Sequence, residues 1–342
     1  NASLPFSIFE SFNVKSQTSV GIQAAIDTAL KNNLTVKSEK LRAEYQKKMI
    51  KTSASIPQTS INGQYGQINS SFFDNSIAVS QSINFPSVYI NQKHLLNEEW
   101  KAAILGVTLK EAETKKMVRQ VFYTFLYLKS KEKLLLKNDS IYAKFLERAN
   151  LRFSKGESNI LEKATAESQR GNIAIQLKQL QQDLEITQLQ FDLVLNSTVS
   201  YVPLDESTKL ELAIIKDSSV VNQHPFLKVL EQQNRVASFN KKLERSKLLP
   251  DLSVGYYNMT MKGTGSDNMT YSSSARFQSV QLGLGIPLFF GAQKAKINAS
   301  KINQNISENL YLQEKNQLQN QYQVLLSQYQ ASLSKVAYYE TT

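Results

Sequence analysis

Arg152-Phe153-Ser154-Lys155-Gly156-Glu157-Ser158-Asn159 interrupts an otherwise unbroken helical pattern from about Ser87 to Asn196. No proline falls between Pro86 and Pro203. Before the break, apolar residues stand at Val118, Val121, Phe125 and Leu128, and the spacing continues through Leu135, Asn138, Tyr142, Phe145, Ala149 and Phe153. After it, Ile173, Leu177, Leu180, Leu184, Thr187, Phe191 and Val194 step by alternating fours and threes, the seam of a coiled coil. At about 1.5 Å per residue each arm runs roughly 60–95 Å. Gly156 is a natural terminator because glycine takes positive φ without steric cost. The stretch predicts a long antiparallel helical hairpin with a tight polar tip at 152–159.

Working outward, the length of 342 residues suggests two or three domains. Apolar content of 41% and charged content of 20% describe an ordered chain. Cysteine is absent, which excludes disulfides, thiolate metal sites and cysteine nucleophiles. The densest apolar run, Val121 to Leu128, is too short to cross a bilayer as a helix. Entry into a membrane would have to be made by strands. Forty Lys and Arg against 29 Asp and Glu give a formal charge of +11. Acids interleave with the lysines, so the charge reads as solvated helix faces rather than a nucleic-acid surface. No start methionine or signal peptide is visible, and the expectation is of a mature or trimmed chain.

Residues 1–57 divide into an irregular lead-in and two helices. Thr18 and Ser19 are candidate N-caps for a helix through Ile22, Ala25, Ile26, Ala29 and Leu30. A second helix starts near Thr35 and is stopped by Pro57. At 58–86 the period changes. Ile77, Val79, Gln81, Ile83 and Phe85 alternate with Ala78, Ser80, Ser82 and Asn84, the pattern of a two-faced strand. Thr59, Ile61, Gly63 and Tyr65 form a weaker partner, which predicts a hairpin. The long helical hairpin occupies 87–196. Residues 197–223 are a connector with a short strand at Lys209–Ala213, and 224–250 is a helix ended by Pro250. A second hairpin spans 251–289. Leu252-Ser253-Val254-Gly255-Tyr256 is one arm; the other alternates Val280, Leu282, Leu284, Ile286 and Leu288 with Ser279, Gln281, Gly283 and Gly285. A second long helix fills 290–342.

The halves repeat. Phe85-Pro86 recurs as Ile286-Pro287 and Gln92-Lys93 as Gln293-Lys294, both at an offset of 201 residues. The counterpart of Gly156 falls past Thr342, so the second helical hairpin is expected to be incomplete here.

Several segments resemble TolC-type outer-membrane efflux proteins. Val20-Gly21-Ile22-Gln23-Ala24-Ala25-Ile26-Asp27-Thr28-Ala29-Leu30 is similar to the opening helix of that family. Arg152-Phe153-x-x-Gly156 with Ile160-Leu161-Glu162-x-Ala164 resembles its helical tip. Leu249-Pro250-Asp251-Leu252-Ser253 and Gly285-Ile286-Pro287-Leu288-Phe289 resemble its strand entries. The resemblance implies a mainly α fold with membrane β. Long helical hairpins would form a periplasmic α-barrel, and four strands per protomer would join a trimeric twelve-stranded barrel in the outer membrane of a Gram-negative bacterium. It further implies a periplasmic adaptor and an inner-membrane pump as partners, with no catalytic residues and no cofactor.

On that reading Ile77, Val79, Ile83, Phe85, Val280, Leu282, Leu284, Ile286 and Leu288 face lipid, and Ser80, Ser82, Asn84, Ser279 and Gln281 face water. Tyr65, Phe72, Phe73, Phe85, Tyr256, Tyr257, Phe277, Phe289 and Phe290 would form interfacial girdles. Arg152, Phe153, Ser154, Lys155, Gly156 and Glu157 are candidates for adaptor docking; the plainer reading is an ordinary polar helix–helix turn. Glu162 stands where relatives carry a gating acid. Met259, Met261 and Met269 are candidate soft-cation ligands, or simply adaptable loop residues. His94 and His224 are read as structural. Two other architectures satisfy the same patterns: a soluble periplasmic coiled-coil adaptor or scaffold, and one module of a longer pump fusion. In a soluble sandwich the alternating strands would face a core instead of lipid.

Overall fold

The structure is a computed structural model that describes residues 18–68, 70–204 and 218–341. In chain order the elements are β1 (Thr18–Val20), α1 (Ile22–Asn32), α2 (Leu34–Met49), β2 (Ser60–Gly66), β3 (Asp74–Ile83), α3 (Pro86–Ser154) and α4 (Ile160–Leu195). There follow β4 (Tyr201–Pro203), α5 (Pro225–Ser246), β5 (Asp251–Met259), β6 (Gly263–Thr264), β7 (Thr270–Tyr271), β8 (Phe277–Gly285) and α6 (Gly291–Thr341). Short 3-10 segments follow α2 (Ile50–Ala54) and precede α5 (Ser218–Gln223). The lead-in at 1–17 and the strand expected at Lys209–Ala213 lie outside the described residues. The described chain divides into two units, one of residues 18–38 and 110–204, the other of 39–109 and 218–341.

The first unit is built on the seam. Val118 and Phe122 of α3 meet Phe191, Val194 and Leu195 of α4, and Ala25, Ile26 and Ala29 of α1 close the same cluster. The two alanines let α1 approach closely. Phe122 and Phe191 are fully buried with ring centroids 6.1 Å apart. A second layer joins Phe125, Leu128 and Leu135 to Leu180 and Leu184. Each such burial stabilises by about 1.5–3 kcal/mol. Farther along the hairpin, Arg170 reaches across to Asp139 at 3.2 Å.

Thr18 and Ser19 do not cap α1. They lie in β1, which pairs in parallel with β4 through Thr18↔Tyr201 and Ser19↔Val202. Their backbone is committed to that ladder, and the N-cap position falls to Gly21 without a side-chain bond. Capping occurs one helix later, where Asn33 Oδ1 accepts from the backbone N–H groups of Thr35 and Val36 at 2.9 and 3.1 Å. At the end of α4, Asn196 adopts the left-handed conformation (φ 44°), and its Nδ2 donates to Asn32 O at 3.2 Å.

The second unit carries a four-stranded antiparallel sheet in the order β2-β3-β5-β8. Helix α3 begins with Pro86 at its first position, where the missing N–H costs nothing. Val88 and Leu95 of α3 pack on Leu243 of α5, joined by Phe85, Val236 and Phe239. Ser87 Oγ of α3 and Asn234 Oδ1 of α5 are buried without a hydrogen-bond partner among the described residues, whereas two glutamine–glutamate contacts among these helices are fully made. Gln232 Nε2 donates to Glu98 O at 3.1 Å and Oε2 at 2.6 Å, and Gln293 Nε2 donates to Glu244 O and Oε2 at 2.7 and 2.8 Å. Burial pushes the Glu98 carboxyl upward. Hydrogen bonds from Lys101 and Gln232, with the charge of Lys101, outweigh this and hold it below the usual glutamate range. Glu244 is lowered in the same way against its own burial, by Lys247 and Gln293.

The strands are shorter than the alternation suggested. β3 stops at Ile83 and β8 at Gly285, so Phe85, Ile286 and Leu288 lie outside the ladder. The reason is the neighbour: β5 begins at Asp251, paired with Gly285, and Pro250 before it has no N–H to extend the pairing. Among the described residues no helix is long and apolar enough to cross a membrane.

Candidate functional site

Residues facing one another across an antiparallel ladder share a face. The register therefore assigns every side chain of the sheet. One set of rows reads Ile61↔Val79↔Tyr256↔Val280, then Gln81↔Val254↔Leu282, then Ile83↔Leu252↔Leu284. The alternate rows read Ser60↔Ser80↔Gly255↔Gln281, Asn62↔Ala78↔Tyr257↔Ser279 and Ser82↔Ser253↔Gly283. Through these rows the sheet is apolar on one face and small or polar on the other, while at its far end Asn258 and Gln278 join the first face and Met259 and Phe277 the second.

The apolar face is open to the surroundings. Leu282 is 81% exposed and Val280 and Leu284 nearly as much. Gln81, the polar side chain in the middle of this face, is satisfied locally: its Nε2 donates to Pro57 O at 2.8 Å and its Oε1 accepts from Thr59 at 2.6 Å. β2 and β8 are the edges of the sheet. Both therefore present unpaired backbone groups along one side, where a further strand could pair.

Of the residues expected on a lipid-contacting face, Ile77, Val79, Ile83, Val280, Leu282 and Leu284 share it, Ile83 being half-buried. Phe85 instead packs among the helices with Val88, Leu95 and Leu243. Ile286 and Leu288 are exposed beyond β8. Ile61, Leu252, Val254 and Tyr256 join the same face. The alternation of Leu252, Val254 and Tyr256 with Ser253 and Gly255 carried that signal. On the polar face stand Ser80, Ser82, Ser279 and Gln281, while Asn84 lies past the strand with its backbone N–H donating to Tyr89 Oη.

At the far end of the sheet the two hairpins are locked together. Asp74, 1% exposed, accepts from Thr260 Oγ1 at 2.9 Å and from Lys262 N–H at 3.0 Å, and Arg276 donates to Asn75 Oδ1 at 2.5 Å. In the loop beyond, Tyr271 Oη and the Met269 N–H both donate to Asp267. The Tyr271 bond and the backbone bond hold the Asp267 carboxyl below its usual range. Met261 and Met269 are exposed and Met259 faces Phe277 in the ladder. Among the described residues no cluster of three or more His, Cys, Asp or Glu is placed to hold a metal. His224 caps α5 through Nδ1, and His94 lies against Phe239 at 5.7 Å between ring centroids.

The tip is a Schellman turn. Gly156 takes φ +71°, Gly156 N–H donates to Phe153 O at 3.1 Å and Glu157 N–H to Arg152 O at 2.9 Å. Asn159 caps α4 by accepting from the Glu162 N–H at 3.2 Å. Glu162, third residue of α4, receives Arg152 at 3.0 Å and the Ser158 hydroxyl. It thereby ties the last turn of α3 to the first turn of α4. Lys163 lies 5.7 Å over the Phe153 ring. Ser154, Lys155, Gly156 and Glu157 are exposed at the apex.

Comparison with known proteins agrees with this architecture. Residues 218–342 match the family model described as outer membrane efflux protein. None of the curated proteins matches the chain in sequence. Solved structures share the fold. The transmembrane channel-forming protein CusC is 16% identical with a TM-score of 0.74, covering 94% of this chain and 79% of its own. The outer membrane protein VceC from Vibrio cholerae is 10% identical with a TM-score of 0.73, covering 94% and 81%. The CmeC outer membrane channel of Campylobacter jejuni is 13% identical with a TM-score of 0.67, covering 99% and 83%. The resemblance to TolC-type outer-membrane efflux proteins drawn from the sequence stands on these matches.

Proposed function

We propose that the chain is the outer-membrane exit duct of a tripartite efflux or secretion system, a passive conduit. The observation that carries the reading is the open sheet, with one apolar face, one polar face and two unsatisfied edges. Nine-residue strands such as β5 and β8 at about 3.3 Å per residue, tilted near 40°, rise about 23 Å, close to the apolar band of a membrane barrel. Four strands cannot close, and about eight give an interior filled by side chains. Three protomers supply twelve, enough for a water-filled lumen lined by the serine, glycine and glutamine rows. The edge β2 of one protomer then pairs with β8 of the next.

In this assembly the two halves of the chain are copies of one helix–hairpin–helix unit. The long helices form a periplasmic tunnel below the barrel. The apex, Arg152 to Glu157, docks a periplasmic adaptor that links the duct to an inner-membrane pump, and the pump supplies the energy. Glu162 stiffens the apex through Arg152 and Ser158. A gating role follows if adaptor binding exchanges the Arg152 contact for an external one.

The test is conductance in planar bilayers. Purified protein should require detergent, run as a trimer and open discrete ion-conducting steps on insertion. A detergent-free soluble monomer that leaves the bilayer silent would overturn the proposal.

A further inference from the structure

The positive charge of the second unit is concentrated at one place. Its described residues hold twenty Lys and Arg and twelve Asp and Glu, of which eleven cations and a single acid, Glu244, lie at 47–51, 93, 241–247 and 294–301. These positions lie within about three turns of the sheet-facing ends of α2, α3, α5 and α6, a zone that also holds Glu39 and Glu44 of α2, with Asp251 at the start of β5. All four ends meet the same end of the sheet, because β2 and β5 start there and β3 and β8 finish there. The cations therefore form a collar immediately below the two-faced sheet.

Helix stability accounts for part of the collar, because Lys47, Lys48 and Arg245 stand in the last turns of α2 and α5, but not for its cations on α6. Lys294 and Lys296 stand near the N-terminus of α6, where the helix macrodipole disfavours cations, and that first turn carries no acid. Of the eleven cations, among the described residues, only Lys247 forms an ion pair, 2.6 Å from Glu244. Beside the collar, the segment joining β8 to α6 bares Leu288, Phe289 and Phe290, with Phe289 96% exposed. Exposed aromatics next to exposed lysines match a membrane interface, with rings at the headgroup level and ammonium groups among phosphates.

We propose that this collar binds the headgroups of anionic glycerophospholipids in the leaflet that meets the helical end of the barrel, with Lys48, Lys51, Lys294 and Lys296 as principal contacts. The proposal rests on the duct reading given above. Charge complementarity fixes the ligand chemistry as phosphate, and the adjoining apolar face fixes its source as lipid.

The test reconstitutes the full protein in phosphatidylethanolamine vesicles, with and without phosphatidylglycerol. The lipid retained around it is then analysed after polymer extraction. Each cation near an anionic surface changes partitioning about fivefold. A Lys48→Gln, Lys51→Gln, Lys294→Gln, Lys296→Gln variant should therefore insert equally well but lose phosphatidylglycerol enrichment by tenfold or more. A matched set of Lys→Arg changes should keep it, and 0.5 M salt should abolish it in the unaltered protein. Equal insertion with no enrichment, or enrichment indifferent to the four lysines, overturns the lipid collar and leaves the duct standing. Failure to insert into either vesicle overturns the duct and the collar together.

Discussion

Replacing Leu282 with arginine separates a lipid-facing sheet from a merely exposed one. Leu282 is the sixth of nine residues in β8, one step from the strand centre, and its side chain is 81% exposed on the apolar face. If that face meets hydrocarbon, an arginine there sits near the bilayer midplane and costs about 2–4 kcal/mol. The equilibrium between inserted and unfolded protein then falls roughly 30- to 1,000-fold. If the face meets water, the same change stays within about 0.5 kcal/mol. The neighbouring Gln281→Arg is the control, because Gln281 belongs to the polar row with Ser80 and Gly255. Urea titration of insertion into phospholipid vesicles, followed by protease protection, reads both variants. A large loss for Leu282→Arg with little for Gln281→Arg is expected. Equal losses, or none for either, would refute the assignment of faces.

Gly156→Ala should destabilise the tip by about 1–2 kcal/mol through its positive φ alone, since an added Cβ there meets nothing within 4 Å; Gly156→Asn should recover part of this in chemical denaturation. Leu180→Ala, at a site 2% exposed within the helical hairpin, should cost about 2–5 kcal/mol. Phe145→Ala on the same predicted seam, 42% exposed, should cost much less, and urea melts of the two variants compare them. Glu98 and Glu244 have folded pKa values below their unfolded ones. Their stabilisation is complete above about pH 4.3 and lost as pH falls through the lower folded values. The melting temperature should therefore drop on acidification below that point, and Glu98→Gln should flatten the drop.

The hairpin and the sheet were legible because each has one dominant period. Ile173, Leu180, Leu184, Thr187, Phe191 and Val194 are buried on α4 as their spacing indicated. Phe122 escaped the seam series although it is fully buried. It lies between the positions of a strict seam, and it is covered because α1 adds a third helix and widens the apolar stripe. Phe85 continued the strand alternation in sequence, yet Pro86 starts a helix at once and turns the ring into the helical core. The β1–β4 pairing left no readable trace, since three residues of Thr-Ser-Val and Tyr-Val-Pro carry no period and their partnership spans the whole hairpin. At the tip the glycine and its flanking helices were readable. The contact of Glu162 with Arg152 depends on the Schellman geometry and needed the fold.

The central claim is that β2 and β8 find their missing partners in neighbouring copies. The chain has no cysteine, so introduced pairs report cleanly. Asn62→Cys on β2, combined in turn with cysteine at Ser279, Gln281 or Gly283 on β8, samples three registers on the polar face. At least one pair should yield disulfide-linked bands that end at the trimer when the protein is oxidised in membranes. Monomer bands alone at every register would contradict the shared barrel.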